Sequence, residues 1–206
     1  MEANVRYSLF IFILLLPVLG FSQFETYLQA DPEPKVERQW GGAFSVIESG
    51  SGFGLFYATP LKNFYHVGAT LNLFLLRDSK QFEYYYYTFN KKNNVYLIDL
   101  MLTLKKRLMA YQIDDQFRPF VGISLGPVYG MNFPELKTDP ITGEQYKNQF
   151  RWTMAGSAAA GVDIALDGNY MIGLRLQYRI MKFSAMLGER KDHSMFDVRI
   201  EFGKLF

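Results

Sequence analysis

The stretch that decides the fold is residues 195–206, MFDVRIEFGKLF. One face of this segment is apolar and consists of Phe196, Val198, Ile200, Phe202 and Phe206. The opposite face carries Asp197, Arg199, Glu201 and Gly203. Alternation with a period of two places successive side chains on opposite faces of a strand. A strand that is apolar on one face and charged with both signs on the other belongs between lipid and a polar lumen, so this segment predicts the closing strand of a transmembrane β-barrel.

The same alternation recurs upstream. It is present near residues 40–46, 53–57, 66–76, 94–105, 119–129, 151–165 and 172–180. These segments predict about eight strands of roughly ten residues, the length that a tilted strand needs to cross a bilayer. An even number of antiparallel strands places the N-terminus and the C-terminus of the barrel on the same side of the membrane, which is the periplasmic side. The predicted fold class is therefore an all-β, eight-stranded, antiparallel, up-and-down transmembrane barrel.

The predicted connections alternate in length. Compact turns are expected at 60–65 and 167–169, a longer one at 109–118, and extended outer segments at 78–93 and 130–149. Short periplasmic turns and longer outer loops are typical of such barrels. Gly168 and Asn169 tolerate positive φ and so favour a tight hairpin.

The beginning of the chain predicts export. Arg6 precedes an apolar run of about eleven residues, too short to span a bilayer as a helix, and small residues follow near Ser22. We interpret residues 1–22 as a signal peptide, 23–38 as an extended periplasmic lead rich in Asp and Pro, and 39–206 as one barrel domain. The expected location is the bacterial outer membrane.

Composition excludes several function classes. The 206 residues contain no Cys and only 2 His, so we expect no disulfide, metal site or cofactor. The net charge is +2 and the basic residues form no stripe, so no nucleic-acid partner is expected. A soluble lipocalin-like barrel, with its apolar face inside, is an alternative closed sheet. Small residues on the non-apolar face of 153–163 disfavour it, since strands facing water carry Lys and Glu throughout.

Several short motifs resemble the small outer membrane β-barrel proteins of Bacteroidetes-type bacteria, known as outer membrane protein β-barrel domain or PorT-like proteins and related in architecture to OmpA and OmpX. They are Phe21-Ser22-Gln23, Arg118-Pro119-Phe120-Val121-Gly122 with Gly126, Gly161-Val162-Asp163, Asp167-Gly168-Asn169, Leu174-Arg175-Leu176-Gln177-Tyr178 and the terminal Phe206. The resemblance implies that Val198, Ile200, Phe202 and Phe206 form a signal for the barrel-assembly machinery.

Charged residues on the predicted inner faces form the main candidate site. They are Asp99, Lys105, Arg151, Asp163, Arg175, Arg179, Asp197, Arg199 and Glu201. Charges in a narrow lumen must pair, and a salt-bridged plug that blocks solute flow is the favoured interpretation. The alternative is a ring of charges that selects ions in a narrow pore.

Two surface features complete the candidates. Tyr84, Tyr85, Tyr86 and Tyr87 predict either an aromatic girdle on strands that project above the membrane, which we favour, or an exposed ligand-binding patch. The segment 130–149 predicts a surface loop.

Catalysis is not expected. His66 lies at the predicted periplasmic end, and His193 and Ser194 are adjacent, which places them on opposite faces of a strand. They therefore differ from a lipid A deacylase, whose His and Ser share a face.

The function predicted from these features is structural or surface-interacting and non-enzymatic. The alternatives are a narrow pore for small solutes and an accessory barrel of a secretion apparatus. Expected partners are outer membrane lipids, the barrel-assembly machinery, and an extracellular ligand or envelope protein.

Overall fold

The computed structural model describes residues 35–84, 87–134, 138 and 145–206, and the side chains of these residues other than 78–84 and 87–92. The predicted signal peptide and residues 23–34 of the predicted lead lie outside the described residues. The strands are β1 Gln39–Ile47, β2 Gly50–Pro60, β3 Tyr65–Tyr84, β4 Tyr87–Arg107, β5 Phe117–Pro134, β6 Gln149–Leu166, β7 Tyr170–Leu187, β8 Arg190–Asp192 and β9 Met195–Leu205. A short 3₁₀ helix, Lys62–Phe64, joins β2 to β3. No helix within the described ranges is long and apolar enough to cross a membrane.

The sheet closes on itself. The long strands from β1 to β7 pair antiparallel with their neighbours in the chain, β9 pairs with β7, and β1 pairs with β9. The three-residue β8 pairs only with the end of β7 and is not part of the wall. The predicted fold class, a closed antiparallel barrel of eight strands, is confirmed.

The register sets the width of the barrel. The stagger of the barrel is the offset between the two ends of one path of paired residues around the wall. Starting at Ile47, the path through β2, β3, β4 and β5 reaches β6 at Gln149, and the path in the other direction through β9 and β7 reaches β6 at Ala159. The stagger is therefore ten residues. With a rise of about 3.3 Å per residue and strands about 4.8 Å apart, this stagger tilts the strands by roughly 40° and gives a backbone radius of about 8 Å. Such a lumen has space for side chains and little else.

Large apolar side chains cover the outer surface of the wall. On β4, Ile98, Leu100, Leu102 and Leu104 are all exposed, and Leu102 is 68% exposed. These four lie between Tyr96 and Lys106, ten residues apart, which at this tilt corresponds to roughly 25 Å, the height of the apolar band of outer membrane barrels. The alternative of a lipocalin-like barrel is therefore excluded, because that fold would turn this face inward.

The connections agree with the prediction at one end and differ at the other. The predicted turn at 167–169 is confirmed, with φ of 77° at Gly168 and 64° at Asn169. The predicted ends of β3 and β4 near residues 76 and 94 are too early, because the two strands continue as a paired hairpin up to Tyr84 and Tyr87. This continuation agrees with the favoured interpretation of the tyrosine run, in which the strands project above the membrane. Lipid on one face of a strand imposes the alternation of apolar and polar residues. Beyond the membrane that alternation ends, but the hydrogen-bonded ladder between the strands continues.

Candidate functional site

The interior of the barrel contains eight of the nine predicted lumen charges. All eight are at most 7% exposed. They are Asp99, Lys105, Asp163, Arg175, Arg179, Asp197, Arg199 and Glu201. They come from β4, β6, β7 and β9, so barrel closure brings together residues up to a hundred positions apart in the chain.

The buried charges form three groups, and the first, on the side of the outer mouth, consists of Arg179, Asp99 and Asp197. Arg179 Nη1 donates to Asp99, and Arg179 Nε lies 3.4 Å from Asp197 Oδ2. The guanidinium also lies over the ring of Phe74, 4.6 Å from its centroid. The carboxylates of Asp99 and Asp197 therefore share one arginine. Asp99 also accepts a hydrogen bond from Asn72 Nδ2 at 2.6 Å.

A second group is built on Glu201. Its Oε1 accepts from Arg199 Nε at 2.9 Å and lies 3.0 Å from Arg175 Nη2. Arg199 also donates to the side-chain oxygen of Asn72. Asn72 therefore joins the two groups, since its amide donates to Asp99 and accepts from Arg199.

The third group lies nearest the periplasmic end. Lys105 Nζ is 2.6 Å from Asp163 Oδ2 and donates to Gln39 Oε1 at 2.7 Å. The same ammonium lies 4.7 Å from the centroid of the Phe120 ring, over which Arg175 also stacks at 5.3 Å. Contact with the face of an aromatic ring stabilises a cation when water is excluded.

The charges in the lumen balance. Four cations, Lys105, Arg175, Arg179 and Arg199, face four carboxylates, Asp99, Asp163, Asp197 and Glu201. Burying a charge is tolerated when it is paired and hydrogen-bonded, and each of these eight lies within 3.4 Å of an opposite charge. Chemically, this arrangement fills the lumen and offers no ring of one sign.

Above the charges lies an apolar plug that sequence reasoning missed. It is a cluster of buried side chains that face into the outer half of the lumen: Ile47, Phe74, Leu76, Val95, Leu97, Met101, Val128, Ala155, Met181, Phe183, Leu187 and Met195. Leu97 and Leu187 are fully buried. A signal existed in β3, β4 and β7, where apolar residues occupy both faces near the outer end. A pattern that expects polar residues on the inward face does not identify apolar residues there.

The outer mouth of the barrel is a polar cavity of about 450 Å³. Its floor is formed by the buried amides of Asn93 and Asn132 and the partly buried amide of Gln149. Asn132 Nδ2 lies 3.4 Å from both Asn93 Oδ1 and Gln149 Oε1, and Gln149 Oε1 accepts from the backbone N–H of Gly188 at 2.7 Å. Asn93 Nδ2 donates to Glu189 Oε1 at 3.2 Å.

Arg151 lines this cavity, and the structure does not bring it into the charge network. Its side chain is exposed and donates to the carbonyl of Phe150 at 3.0 Å. The reason is that the ladder between β6 and β7 ends at Ala155 and Met181. Arg151 has the inward parity that the sequence predicts, but at its height the wall has opened.

The periplasmic end is closed by a further set of ion pairs. Arg107 Nη1 lies 2.6 Å from Asp115, and Arg118 Nη2 lies 2.7 Å from Asp115 and 3.1 Å from Glu37. Burial opposes ionisation of Asp115, but hydrogen bonds from Arg107 and the charge of Arg118 outweigh it and hold the pKa of this carboxyl below its ordinary value. His66 is buried in the same region, beside a cavity of about 10 Å³ with space for one water molecule.

The remaining candidates are dispersed. His193 is buried, with Nε2 3.0 Å from the carbonyl of Leu187, whereas Ser194 Oγ accepts from the backbone N–H of Met181. Of the tyrosine run, Tyr85 and Tyr86 and the side chains of Tyr84 and Tyr87 lie outside the described residues. In the described part of the chain, no group of three or more His, Cys, Asp or Glu side chains could hold a metal ion.

The residues of the predicted assembly signal lie along β9 and at the end of the chain. Ile200, Phe202 and Phe206 are 40%, 57% and 52% exposed, and Val198 is partly buried.

Comparison with known proteins supports the architecture. No family model and no curated protein matches the chain. Among solved structures, OprG from Pseudomonas aeruginosa is 14% identical with a TM-score of 0.55, covering 84% of this chain and 97% of that one. Neisserial surface protein A is 10% identical with a TM-score of 0.53, covering 81% of this chain and 93% of that one. The chain therefore has the fold of small outer membrane β-barrels, and at this identity the likeness concerns the fold alone.

Proposed function

We propose that this protein is an integral outer membrane barrel with a closed lumen, and that it has a structural or surface-interaction role without enzymatic activity. The observation that carries the proposal is that two successive layers of side chains fill the lumen. A charge-balanced network occupies its middle and periplasmic part, and the apolar plug occupies its outer half.

Each layer blocks a different kind of solute. An ion that enters the network would have to displace paired charges that are at most 7% exposed, and no surplus of one sign compensates its lost hydration. A hydrophobic solute could mix with the plug, but it would then meet eight buried charges below. The two layers in series support a barrel that conducts neither.

The membrane location rests on the outer surface. A belt of leucine, isoleucine and valine roughly 25 Å tall, with aromatic residues such as Trp152 at its outer border, is far larger than the apolar patches that soluble monomers expose. Outer membrane lipids are accordingly the partner that this belt fits. The assembly machinery is a second partner, proposed from the alternate apolar residues that end in Phe206.

Membership of the PorT-like group is a finer possibility that rests on the sequence motifs. If the barrel is an accessory of a secretion apparatus, it should co-purify with envelope proteins after mild crosslinking of whole cells. A barrel that acts alone at the surface should be recovered by itself.

The test of the closed lumen is conductance of the mature protein in a planar bilayer. Insertion is established first by electrophoresis with and without boiling, because a closed barrel runs compactly until heated. We expect the inserted protein to give no current steps. Regular steps whose ion selectivity changes in Arg199→Gln would overturn the proposal and support the narrow pore.

A further inference from the structure

The outer cavity has features of a binding site that the closed lumen does not explain. Its volume of about 450 Å³ lies within the range of small-molecule sites. Its floor is sealed, since Leu187 and Val95 beneath it are at most 1% exposed. It is therefore a cup with a closed floor and not the entrance to a channel.

The lining of the cup is unusually rich in primary amides. They belong to Asn93, Asn132, Gln145, Asn148 and Gln149. A primary amide presents a donor and an acceptor side by side, which matches a hydroxyl group, itself both donor and acceptor. A polyhydroxylated molecule can satisfy such a lining, whereas an apolar one would leave it unpaired.

One buried group marks a position for the ligand. Asn132 is 1% exposed, and its Oδ1 makes no hydrogen bond, although its Nδ2 bonds to two neighbours. An unpaired buried carbonyl oxygen carries a free-energy cost that a hydroxyl donor in the cup would remove. Lys147 and Arg151 also line the cavity and would add charge-assisted bonds.

The backbone ladder between β6 and β7 is interrupted at the level of the cup. Over residues 149–154 and 182–187, all of them described, the two strands form no ladder. Thr153 Oγ1 donates to the carbonyl of Lys182 at 2.5 Å and closes the bottom of the gap. In this interval Arg151 is free of the ladder's inward packing and lines the cup above the plug.

From these features we infer that the outer mouth is a saccharide-binding site for one or two sugar rings, with Asn132 and Arg151 among its ligand contacts. The inference rests on the proposed surface-interaction role and names the chemistry of its ligand. The aqueous face of the outer membrane is where a cup of this kind would meet glycans.

The test is saturation-transfer NMR on the full barrel in detergent micelles, with galactose, N-acetylglucosamine and glucuronic acid as probes. We expect at least one sugar to bind, and Arg151→Gln and Asn132→Leu each to weaken its binding about tenfold. The matched control is Arg190→Gln, an exposed arginine at the same end that does not line the cavity. Its affinity should equal that of the wild type.

Swelling of proteoliposomes in the same sugars separates the two proposals. Binding without swelling supports both. Swelling would overturn the closed lumen, whereas the effect of Arg151→Gln on binding would still decide the site. Absence of binding by all three sugars, or binding that neither cavity variant weakens, would overturn the inference and leave the closed barrel intact. Asn132→Leu is interpreted only if its heat-dependent mobility matches that of the wild type, and Arg151→Gln, at an exposed position, decides otherwise.

Discussion

Replacing Arg179 by Met should destabilise the barrel far more than the same replacement of an arginine exposed to water. Arg179 is 2% exposed and is shared by Asp99 and Asp197, so its loss changes the balanced lumen to a net charge of −1 with two carboxylates near the vacated position. Removing one partner of a buried ion pair typically costs about 3–5 kcal/mol, and we expect a value in this range. The methionine keeps most of the volume and the contact with Phe74, so the cost reports mainly on charge.

The double variant Arg179→Met/Asp99→Asn tests the electrostatic origin of that cost. It restores neutrality and leaves an amide that can still pair with Asn72, so about 1–3 kcal/mol of the loss should return. Arg190→Met, a change at an exposed arginine, is the matched control and should lie within about 0.5 kcal/mol of the wild type.

The assay is urea unfolding of the barrel in lipid vesicles, followed by tryptophan fluorescence from both directions of the transition. The 2 tryptophans, Trp40 and Trp152, lie on the outer face and are 54% and 67% exposed, so their emission changes when the wall leaves the lipid. A cost below about 1 kcal/mol for Arg179→Met, or a double variant less stable than the single one, would refute the argument that buried pairing maintains the lumen.

Three further predictions use the same unfolding measurement. Leu102→Arg, near the middle of the apolar belt, should cost about 2–4 kcal/mol, and a neutral result would contradict the lipid-facing assignment. Gly130→Ala should cost about 1–3 kcal/mol, because its new Cβ would lie 2.4 Å from Leu187 in the plug, whereas the open position Gly42→Ala is the control. Because the native pKa of Asp115 is lowered, its ionisation stabilises the fold above the ordinary pKa of 3.8, and this stabilisation is lost as the pH falls through the lowered native value. Asp115→Asn should therefore be less stable than the wild type at pH 6 and approach it near pH 2, and a constant difference would exclude this linkage.

Much of the fold could be predicted because lipid imposes a strict rule on each strand by itself. Segments such as residues 170–180 must present an apolar side chain at every second position, and this requirement can be read without knowing any partner strand. The turn at Gly168 and Asn169 could also be predicted from the local sequence, because glycine and asparagine adopt positive φ more readily than other residues. Beyond the membrane that rule ends, so alternation placed the ends of β3 and β4 too early, and only the tyrosine run indicated that these strands project further.

Within the barrel, the sequence by itself determined which side chains could face inward, and therefore that charges of both signs would meet in the lumen. Only the tertiary structure decided which charges pair, because the stagger of ten residues sets the height of every strand relative to its neighbours. The same stagger brings Phe74, Phe183 and Leu187 to one level as a plug, and the early end of the β6 ladder turns Arg151 toward the outer cavity. Heights around a closed sheet depend on all eight registers at once, and no single strand contains that information.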